Sequence, residues 1–194
     1  MPGEMPAVRI QISTEHFEAF RNDRPANERW ELIGGKPVLM PPRSLIHQRI
    51  VGNISAALNT WLLQSAPEWQ ADCFVSLLPA NSACDNPIPD VSVIDTEILD
   101  GQVHATRFYF VAEVVSGSDK AWIPDLKLAC YQSHPNCLGV MFVRQDRIEA
   151  DLHVRTEGWT CSTLTAPTER INIPVIGDIG QLEDLYRHTP LFKS

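Results

Sequence analysis

No apolar run in this chain approaches the roughly 18 residues that a helix needs to span a bilayer. The first six residues, Met-Pro-Gly-Glu-Met-Pro, lack the basic and apolar regions of a secretory signal peptide. These absences argue against a helical membrane protein and predict a soluble chain in the cytoplasm. The 194 residues are expected to form a single domain, residues 1–194, that buries its own core.

Paired cysteines are also missing. The chain has an odd number of cysteines and no Cys-x-x-Cys pair. This pattern argues against a disulfide framework and against a structural zinc site. We therefore expect reduced thiols at all five positions, which are Cys73, Cys84, Cys130, Cys137 and Cys161.

A broad excess of basic residues is absent as well, since the formal net charge is −8. A non-specific nucleic-acid-binding protein needs a wide basic surface, so the composition disfavours that class. An enzyme that meets phosphates along one local strip is compatible with this charge. Twelve of the 16 basic residues are arginine, which suits bidentate phosphate contacts.

Several common functional motifs are not found. The chain has no Gly-x-x-x-x-Gly-Lys-[Ser/Thr] phosphate loop, no Gly-x-Gly-x-x-Gly, no His-Glu-x-x-His and no Gly-x-Ser-x-Gly. The functions that depend on these four motifs therefore have no support in the sequence.

Helical and strand periodicities alternate along the chain and predict an α/β fold with a mixed central sheet flanked by helices. Gly34-Gly35 predicts a two-residue hairpin turn, and Ser44 predicts the cap of the longest helix. The predicted helices are 13–21, 44–64, 124–133 and 182–186, and the predicted strands are 30–33, 36–40, 73–78, 90–95, 108–115, 138–143, 148–154 and 159–165.

Glu113 lies within the apolar segment 108–115, whose aromatic and β-branched residues predict a central strand covered on both faces. A carboxylate buried there without a partner would cost several kcal/mol or would take up a proton. An ion pair with an arginine across the sheet is one explanation. A functional role in binding a cation is the other.

Asp90 begins the preceding predicted strand, and Lys127 lies on the following helix with Tyr131 on the same face. Taken alone, Asp90 could close a turn and Lys127 could be a solvated lysine. Two carboxylates on neighbouring strands with one ammonium together predict a Mg²⁺ or Mn²⁺ site beside a phosphate. Asp90 and Glu113 would bind the metal, and Lys127 would orient the attacking water.

Two further residues are candidates for supporting roles. Glu31, in the first strand of the hairpin, could act as a ligand or base, or could pair with an arginine across the strands. His47 lies in the first turn of the longest helix and is predicted to point toward the packed side. A satisfied interior histidine is the commoner role for such a residue.

The segments that carry these residues resemble the PD-(D/E)XK nuclease superfamily. More narrowly, they resemble a bacterial family described as putative restriction endonucleases. Five segments of the chain carry the resemblance, residues 30–35, 40–47, 89–91, 113–116 and 127–131. In this order they are similar to the family motifs Tyr-Glu-Leu-Ile-Asp-Gly-Glu, Met-Pro-Pro-x-Ser-x-x-His, Pro-Asp-Val, Glu-Val-Leu-Ser and Lys-x-x-x-Tyr.

The resemblance implies a restriction-endonuclease-like core with an additional β layer. It also implies a Mg²⁺-dependent endonuclease that cuts DNA and forms a homodimer. The catalytic residues implied by the resemblance are Asp90, Glu113, Lys127, Glu31 and His47, with Asp90 and Glu113 as the metal ligands.

The sequence departs from the pattern at two positions. Val115 stands where the superfamily has its usual lysine, and the narrower family takes that lysine from the next helix, where Lys127 stands. Ile123 stands where the family has an aspartate, for which Asp119 or Asp125 could substitute. Two other hypotheses therefore stay open: a nucleic-acid-binding or assembly module whose site has decayed, and a metal-dependent enzyme for a small phosphorylated substrate.

Overall fold

A computed structural model describes residues 12–78, 86–117 and 122–192 of the chain. Within them lie three α-helices and twelve β-strands. The helices are α1 (Thr14–Asn22), α2 (Leu45–Ser65) and α3 (Trp122–Ser133). The strands are β1 (Arg29–Ile33), β2 (Lys36–Met40), β3 (Trp69–Cys73), β4 (Ser76–Leu77), β5 (Val91–Asp95), β6 (His104–Ala105), β7 (Phe110–Val115), β8 (Gly139–Arg144), β9 (Ala150–Val154), β10 (Cys161–Leu164), β11 (Arg170–Ile173) and β12 (Gly177–Gln181).

Six strands form a mixed central sheet in the order β10-β9-β8-β7-β5-β3. The β7–β8 pair is parallel, and the other neighbours in this sheet run antiparallel. Three small sheets, β1-β2, β4-β6 and β11-β12, are added to it. The predicted α/β class with a mixed central sheet and extra β structure is therefore confirmed.

The central strand β7 is buried along its whole length, and its two faces belong to two different apolar clusters. Ala112 and Val114 join a cluster that includes the inner face of α2. Val111 and Val115 join a second cluster that includes Tyr131 of α3. Side chains alternate along a strand, so Glu113 lies on the same face as Val111 and Val115, toward α3.

Local sequence signals account for the elements that precede the site. Gly34 and Gly35 both have positive φ, at 57° and 73°, as the tight turn of the β1–β2 hairpin requires. The Ser44 hydroxyl accepts a hydrogen bond of 3.0 Å from the backbone N–H of His47, which caps α2. Both features were predicted from the sequence.

The strand predicted at 73–78 is only partly confirmed, because Ser76–Leu77 form the short β4 while the longer β3 lies earlier in the chain. In the structure β3 is formed by Trp69–Cys73, and Phe74 adopts a left-handed conformation that ends it. The Asn59 side chain of α2 binds the backbone N–H and C=O of Ala71, both at 2.9 Å, and so holds β3 against the helix. Two strands near the C-terminus, β11 and β12, were not predicted individually.

Two other expectations concern the cysteines and the membrane. The cysteines in the described residues are free thiols, and Cys84 lies outside those residues. Among the described residues, no helix combines the length and apolar character needed to cross a bilayer.

Gly177 offers a test of the packing between α2 and the β11–β12 hairpin. Its φ of 126° disfavours any side chain, and a methyl group on its Cα would overlap the indole ring of Trp61. We expect Gly177→Ala to lower the free energy of unfolding by about 1–3 kcal/mol, as overpacking does. Urea denaturation measures this, with Gly101→Ala as control, because Gly101 also has positive φ but open space around it.

Candidate active site

The strand register brings Asp90 and Glu113 together. Val91 of β5 pairs with Ala112 of β7 in antiparallel register, so the next position places Asp90 opposite Glu113. Side chains directly opposite one another on neighbouring strands lie close enough to interact. The backbone N–H of Val114 donates a hydrogen bond of 2.8 Å to Oδ2 of Asp90, which anchors that carboxylate at the end of β5.

Lys127 joins Glu113 to Glu31. Its Nζ lies 2.8 Å from Oε1 of Glu113 and 2.8 Å from Oε2 of Glu31. Glu31, Glu113 and Lys127 are only 0%, 6% and 4% exposed, so the ion pairs are shielded from water. Tyr131, one helical turn after Lys127, donates its hydroxyl to the same Oε1 of Glu113 at 2.5 Å.

Burial is the main cause of the unusual protonation behaviour in this cluster. It raises the pKa of Glu113 to about 7, helped by the negative charges of Asp90 and Glu31 and opposed by Lys127. Burial alone would lower the pKa of Lys127, but the charges of Glu113 and Glu31 raise that pKa above its ordinary value. Lys127 is therefore an ammonium at any pH at which the protein would work.

Asp90 is held by groups from the other side of the pocket. Arg43 Nε and His47 Nε2 each lie 3.1 Å from its Oδ1. Burial tends to raise the pKa of Asp90, but the hydrogen bond and charge of His47, the charge of Lys127 and the hydrogen bond from Val114 outweigh it and lower that pKa. Asp90 is accordingly a carboxylate over the whole working range of pH.

These side chains surround a cavity of about 120 Å³ between the sheet, the start of α2 and α3. Asp90, Glu113, Glu31, Lys127 and His47 all line it. The five residues singled out from the sequence are thus brought to one place, while their catalytic and metal-binding roles stay predictions. The cavity is also lined by Arg29, Arg43, Ser44, Ile123, Gln145 and eight apolar or small residues.

The alternatives for the individual residues can now be compared with their contacts. Glu113 pairs with a lysine rather than with an arginine across the sheet, and that lysine, Lys127, is buried rather than solvated. Glu31 pairs with Lys127 as well. His47 is turned inward, as predicted, and contacts Asp90.

The position of Ile123 is a structural departure as well as a sequence departure, because its side chain lines the cavity. Asp125, one proposed substitute, is exposed at the start of α3 and does not line the cavity. Asp119, the other, lies outside the described residues.

The donor set suits a metal that keeps part of its water shell. Within the described residues, no group of three or more His, Cys, Asp or Glu side chains is arranged to hold a metal ion. Mg²⁺ commonly binds to only one or two carboxylates and retains several waters. The hydrogen bonds to Glu113 from Lys127 and Tyr131 both end on Oε1, and Oδ2 of Asp90 accepts one from Val114.

One oxygen of this cluster has no partner at all. Oε1 of Glu31 is buried and has no hydrogen-bond partner, although buried carboxylate oxygens normally have one. Both oxygens of Asp90 and Oε1 of Glu113 already accept hydrogen bonds, so a divalent cation held by Asp90 and Glu113 stays a prediction.

Sequence reasoning missed Arg29 and Arg43. Arg43 precedes the Ser44 cap, and Arg29 opens β1, where an arginine is unremarkable. Arg29 lies outside the motifs and Arg43 occupies the variable position of the 40–47 motif, so no signal in the sequence pointed to them. Only the folded structure shows that both line the cavity.

Comparisons with known proteins address the family and the fold. Residues 14–178 match a family model described as "Uma2: Putative restriction endonuclease". The fold is similar to the crystal structure of a "putative nuclease belonging to DUF820" from Anabaena variabilis, with a TM-score of 0.68 and 14% identity over 87% of this chain and 96% of that one. No curated protein matches the sequence. Because the family model covers most of its length, this chain belongs to the Uma2 family of putative restriction endonucleases.

Proposed function

We propose that this protein is a divalent-metal-dependent endonuclease that hydrolyses phosphodiester bonds in DNA. The observation that carries the proposal is the position of Asp90 opposite Glu113, with the Lys127 ammonium bound between Glu113 and Glu31 at one cavity. Family membership supports a nuclease in general terms, and the acid pair with a fixed ammonium supports phosphoryl chemistry in particular.

Asp90 and Glu113 would hold the cation, which when bound supplies Lewis-acid polarisation of a phosphate and an activated water. Lys127 stays protonated, so it acts as a fixed positive charge and hydrogen-bond donor rather than as a general base. Its two carboxylate partners hold it in place, and a preorganised charge of this kind stabilises the negative charge that develops on a phosphate.

The remaining side chains position the acids. Tyr131 holds Glu113 from α3, while Arg43 and His47 hold Asp90 from the α2 side. A cluster supported by partners from three elements loses little entropy when a substrate arrives. His47 and Tyr131 are therefore assigned as positioning residues.

The test is cleavage of supercoiled plasmid DNA by the purified protein with Mg²⁺ or Mn²⁺. We expect the Asp90→Ala/Glu113→Ala double variant to cut at the background rate, and EDTA to have the same effect on the unmodified protein. Asp100→Ala is the matched control, since Asp100 is exposed and lies outside the cavity. Cleavage by the double variant at the unmodified rate would end the assignment.

A second candidate is a DNA-binding or assembly module with a decayed site. Two observations favour it: Oδ1 of Asp90 is already taken by Arg43 and His47, and Ile123 lines the cavity. Titration calorimetry with Mn²⁺ separates the two candidates. The nuclease requires binding heat that disappears in Asp90→Ala/Glu113→Ala, whereas the decayed module shows no carboxylate-dependent heat.

Comparing the hydrolysis rates of two substrates tests which class of substrate the protein prefers. An enzyme for small phosphorylated molecules would hydrolyse a chromogenic phosphodiester as readily as DNA, while the proposed endonuclease prefers duplex DNA. Both rates are measured with the same preparation and the same metal.

A further inference from the structure

A second concavity adjoins the candidate active site, and its wall is partly basic. This groove, of about 790 Å³, is lined by the end of the β1–β2 hairpin and the segment that leads into α2. It shares Arg29, Arg43, Met40, Pro41, Pro42 and Ile123 with the smaller cavity. A molecule bound at Asp90 and Glu113 could therefore extend from the cavity into the groove past both arginines.

The two guanidinium groups have buried hydrogen-bond donors that no group in residues 12–78, 86–117 and 122–192 satisfies. Nε and Nη1 of Arg29 are buried without a partner, and so is Nη2 of Arg43. Buried donors of charged groups are normally paired, so unpaired ones need a specific explanation.

The arginines are also close enough to repel each other. Burial lowers the pKa of Arg43, and the positive charge of Arg29 lowers it further. Arg43 is partly compensated by Asp90, at 3.1 Å from its Nε, and its guanidinium lies over the ring of Phe74, 3.7 Å from the centroid. Two neighbouring cations with free donors at the junction of two concavities form an anion site.

We propose that Arg29 and Arg43 bind a backbone phosphate of a DNA strand, next to the phosphate positioned at Asp90 and Glu113. This inference rests on the proposed function, since it places the strand relative to that site. The planar guanidinium matches the oxygens of a phosphate through paired N–H donors. Arg29 is the phosphate-binding residue proper, and Arg43 divides its donors between the phosphate and Asp90.

The rest of the groove suits the sugar and base of a nucleotide. Its other walls include Val38, Leu39 and Met40, and Leu39 is 50% exposed. Among the lining residues the single acid is Glu28, whose carboxylate accepts the indole N–H of Trp30 at 2.7 Å. The groove is much larger than the cavity it joins, which favours a strand over a small phosphate ester.

The test measures DNA binding without cleavage. Binding of a fluorescein-labelled duplex to the full chain is followed by fluorescence anisotropy in EDTA at several salt concentrations. We expect Arg29→Gln to weaken binding by about tenfold or more and to reduce the salt slope by about one. Arg107→Gln is the matched control, because it removes the same charge from a residue that is 62% exposed and pairs with Asp95.

Thermal unfolding distinguishes a structural role of Arg29 from a role in binding DNA, because only a structural role would change the melting temperature downward. The buried donors of Arg29 have no partners, so Arg29→Met should leave the melting temperature unchanged or raise it, while DNA binding falls as in Arg29→Gln. Arg29→Lys keeps the positive charge but lacks the paired N–H donors of the guanidinium, so it should recover part of the affinity for DNA. A melting temperature several degrees lower in Arg29→Met would overturn the inference and make Arg29 a structural residue.

These measurements also distinguish free phosphate from a DNA strand as the ligand. They distinguish, in addition, a failure of the arginine inference from a failure of the nuclease proposal. If Arg29→Gln weakens the binding of inorganic phosphate but binds DNA as tightly as Arg107→Gln does, the strand proposal is wrong. If the unmodified protein cuts DNA and Arg29→Gln still matches Arg107→Gln in affinity, the arginine inference fails alone. If no cleavage occurs but Arg29→Gln still lowers DNA affinity, the nuclease proposal fails while the phosphate contact stands.

Discussion

Replacing Lys127 by methionine is expected to lower the free energy of unfolding by about 3–5 kcal/mol at pH 8, as breaking a buried ion pair does. Lys127 is the cation that lies 2.8 Å from both Glu113 and Glu31, and all three side chains are buried. Methionine fills a similar volume but leaves two carboxylates uncompensated in a region of low polarity. Urea denaturation measures the loss, and it should exceed that of any surface substitution.

The matched control is Lys36→Met, since Lys36 is exposed on β2 and outside the cavity. We expect that change to stay within about 0.5 kcal/mol. The loss for Lys127→Met should shrink at pH 5, because a buried carboxylate without its cation takes up a proton instead. Equal losses for the two lysine variants at pH 8 would contradict the account of the cluster.

A double-variant cycle isolates the interaction. Glu113→Gln in the Lys127→Met background removes one of the two uncompensated charges and keeps the shape of the side chain. The double variant should therefore be more stable than Lys127→Met at pH 8, so the two changes should not be additive. Additive losses would mean that Lys127 and Glu113 act independently. That result would contradict the contact of 2.8 Å between Nζ of Lys127 and Oε1 of Glu113.

The second large effect is on metal binding as a function of pH. Burial, with the charges of Asp90 and Glu31, raises the pKa of Glu113 to about 7. Below that pH a proton occupies the carboxylate, and a cation must displace it. The affinity for Mn²⁺ should therefore rise about tenfold per pH unit up to about 7 and level off above it, and cleavage should follow the same curve.

In the metal-free protein, the same pKa shift makes the folding stability fall, rather than rise, with increasing pH. The folded pKa of Glu113 lies above its unfolded value, so its stabilising contribution is complete below about pH 4.5 and is lost as the pH rises to about 7. The lowered pKa of Asp90 acts only in the acid range, as Asp90 becomes protonated below its ordinary pKa of 3.8. Metal-free protein should thus unfold more easily at pH 7.5 than at pH 5, and Mn²⁺ should reverse that order.

Calorimetry across pH 5–8 measures the affinity, and Glu113→Gln is the control because it has no proton to release at this position. In that variant the step near pH 7 should disappear. A step that survives in Glu113→Gln belongs to another group and would refute the assignment of the titration to Glu113.

Parts of the site could be predicted because single residues carried their own signals. Glu113 within an apolar strand was conspicuous, since burying a charge is costly unless it is paired. Pro89-Asp90-Val91 and the Lys127/Tyr131 spacing completed a familiar order of motifs. Gly34-Gly35 and the Ser44 cap were local signals, and the structure confirms both.

Other parts depended on contacts between distant segments. The prediction missed most of β3, which pairs with β5 and is bonded at Ala71 by the Asn59 side chain of α2, twelve residues earlier. Glu31 could have paired with an arginine, and only the packing of α3 against β1 brings Lys127 to it. Arg29 and Arg43 had no signal of their own, because an unsatisfied guanidinium can be recognised only from its surroundings.

The sequence by itself determined which residue types were available and on which elements they lie, because apolar periodicity, caps and turn residues act over a few positions. It thereby determined the α/β class and two acids on neighbouring strands. The tertiary structure alone decided which charges meet: that Lys127 lies between two glutamates and that Asp90 is shared by Arg43 and His47. It also decided that, within the described part of the chain, Nε and Nη1 of Arg29 are buried without a hydrogen-bond partner. The physical reason is that electrostatic interactions and desolvation depend on distance and burial in space, which spacing along the chain does not specify.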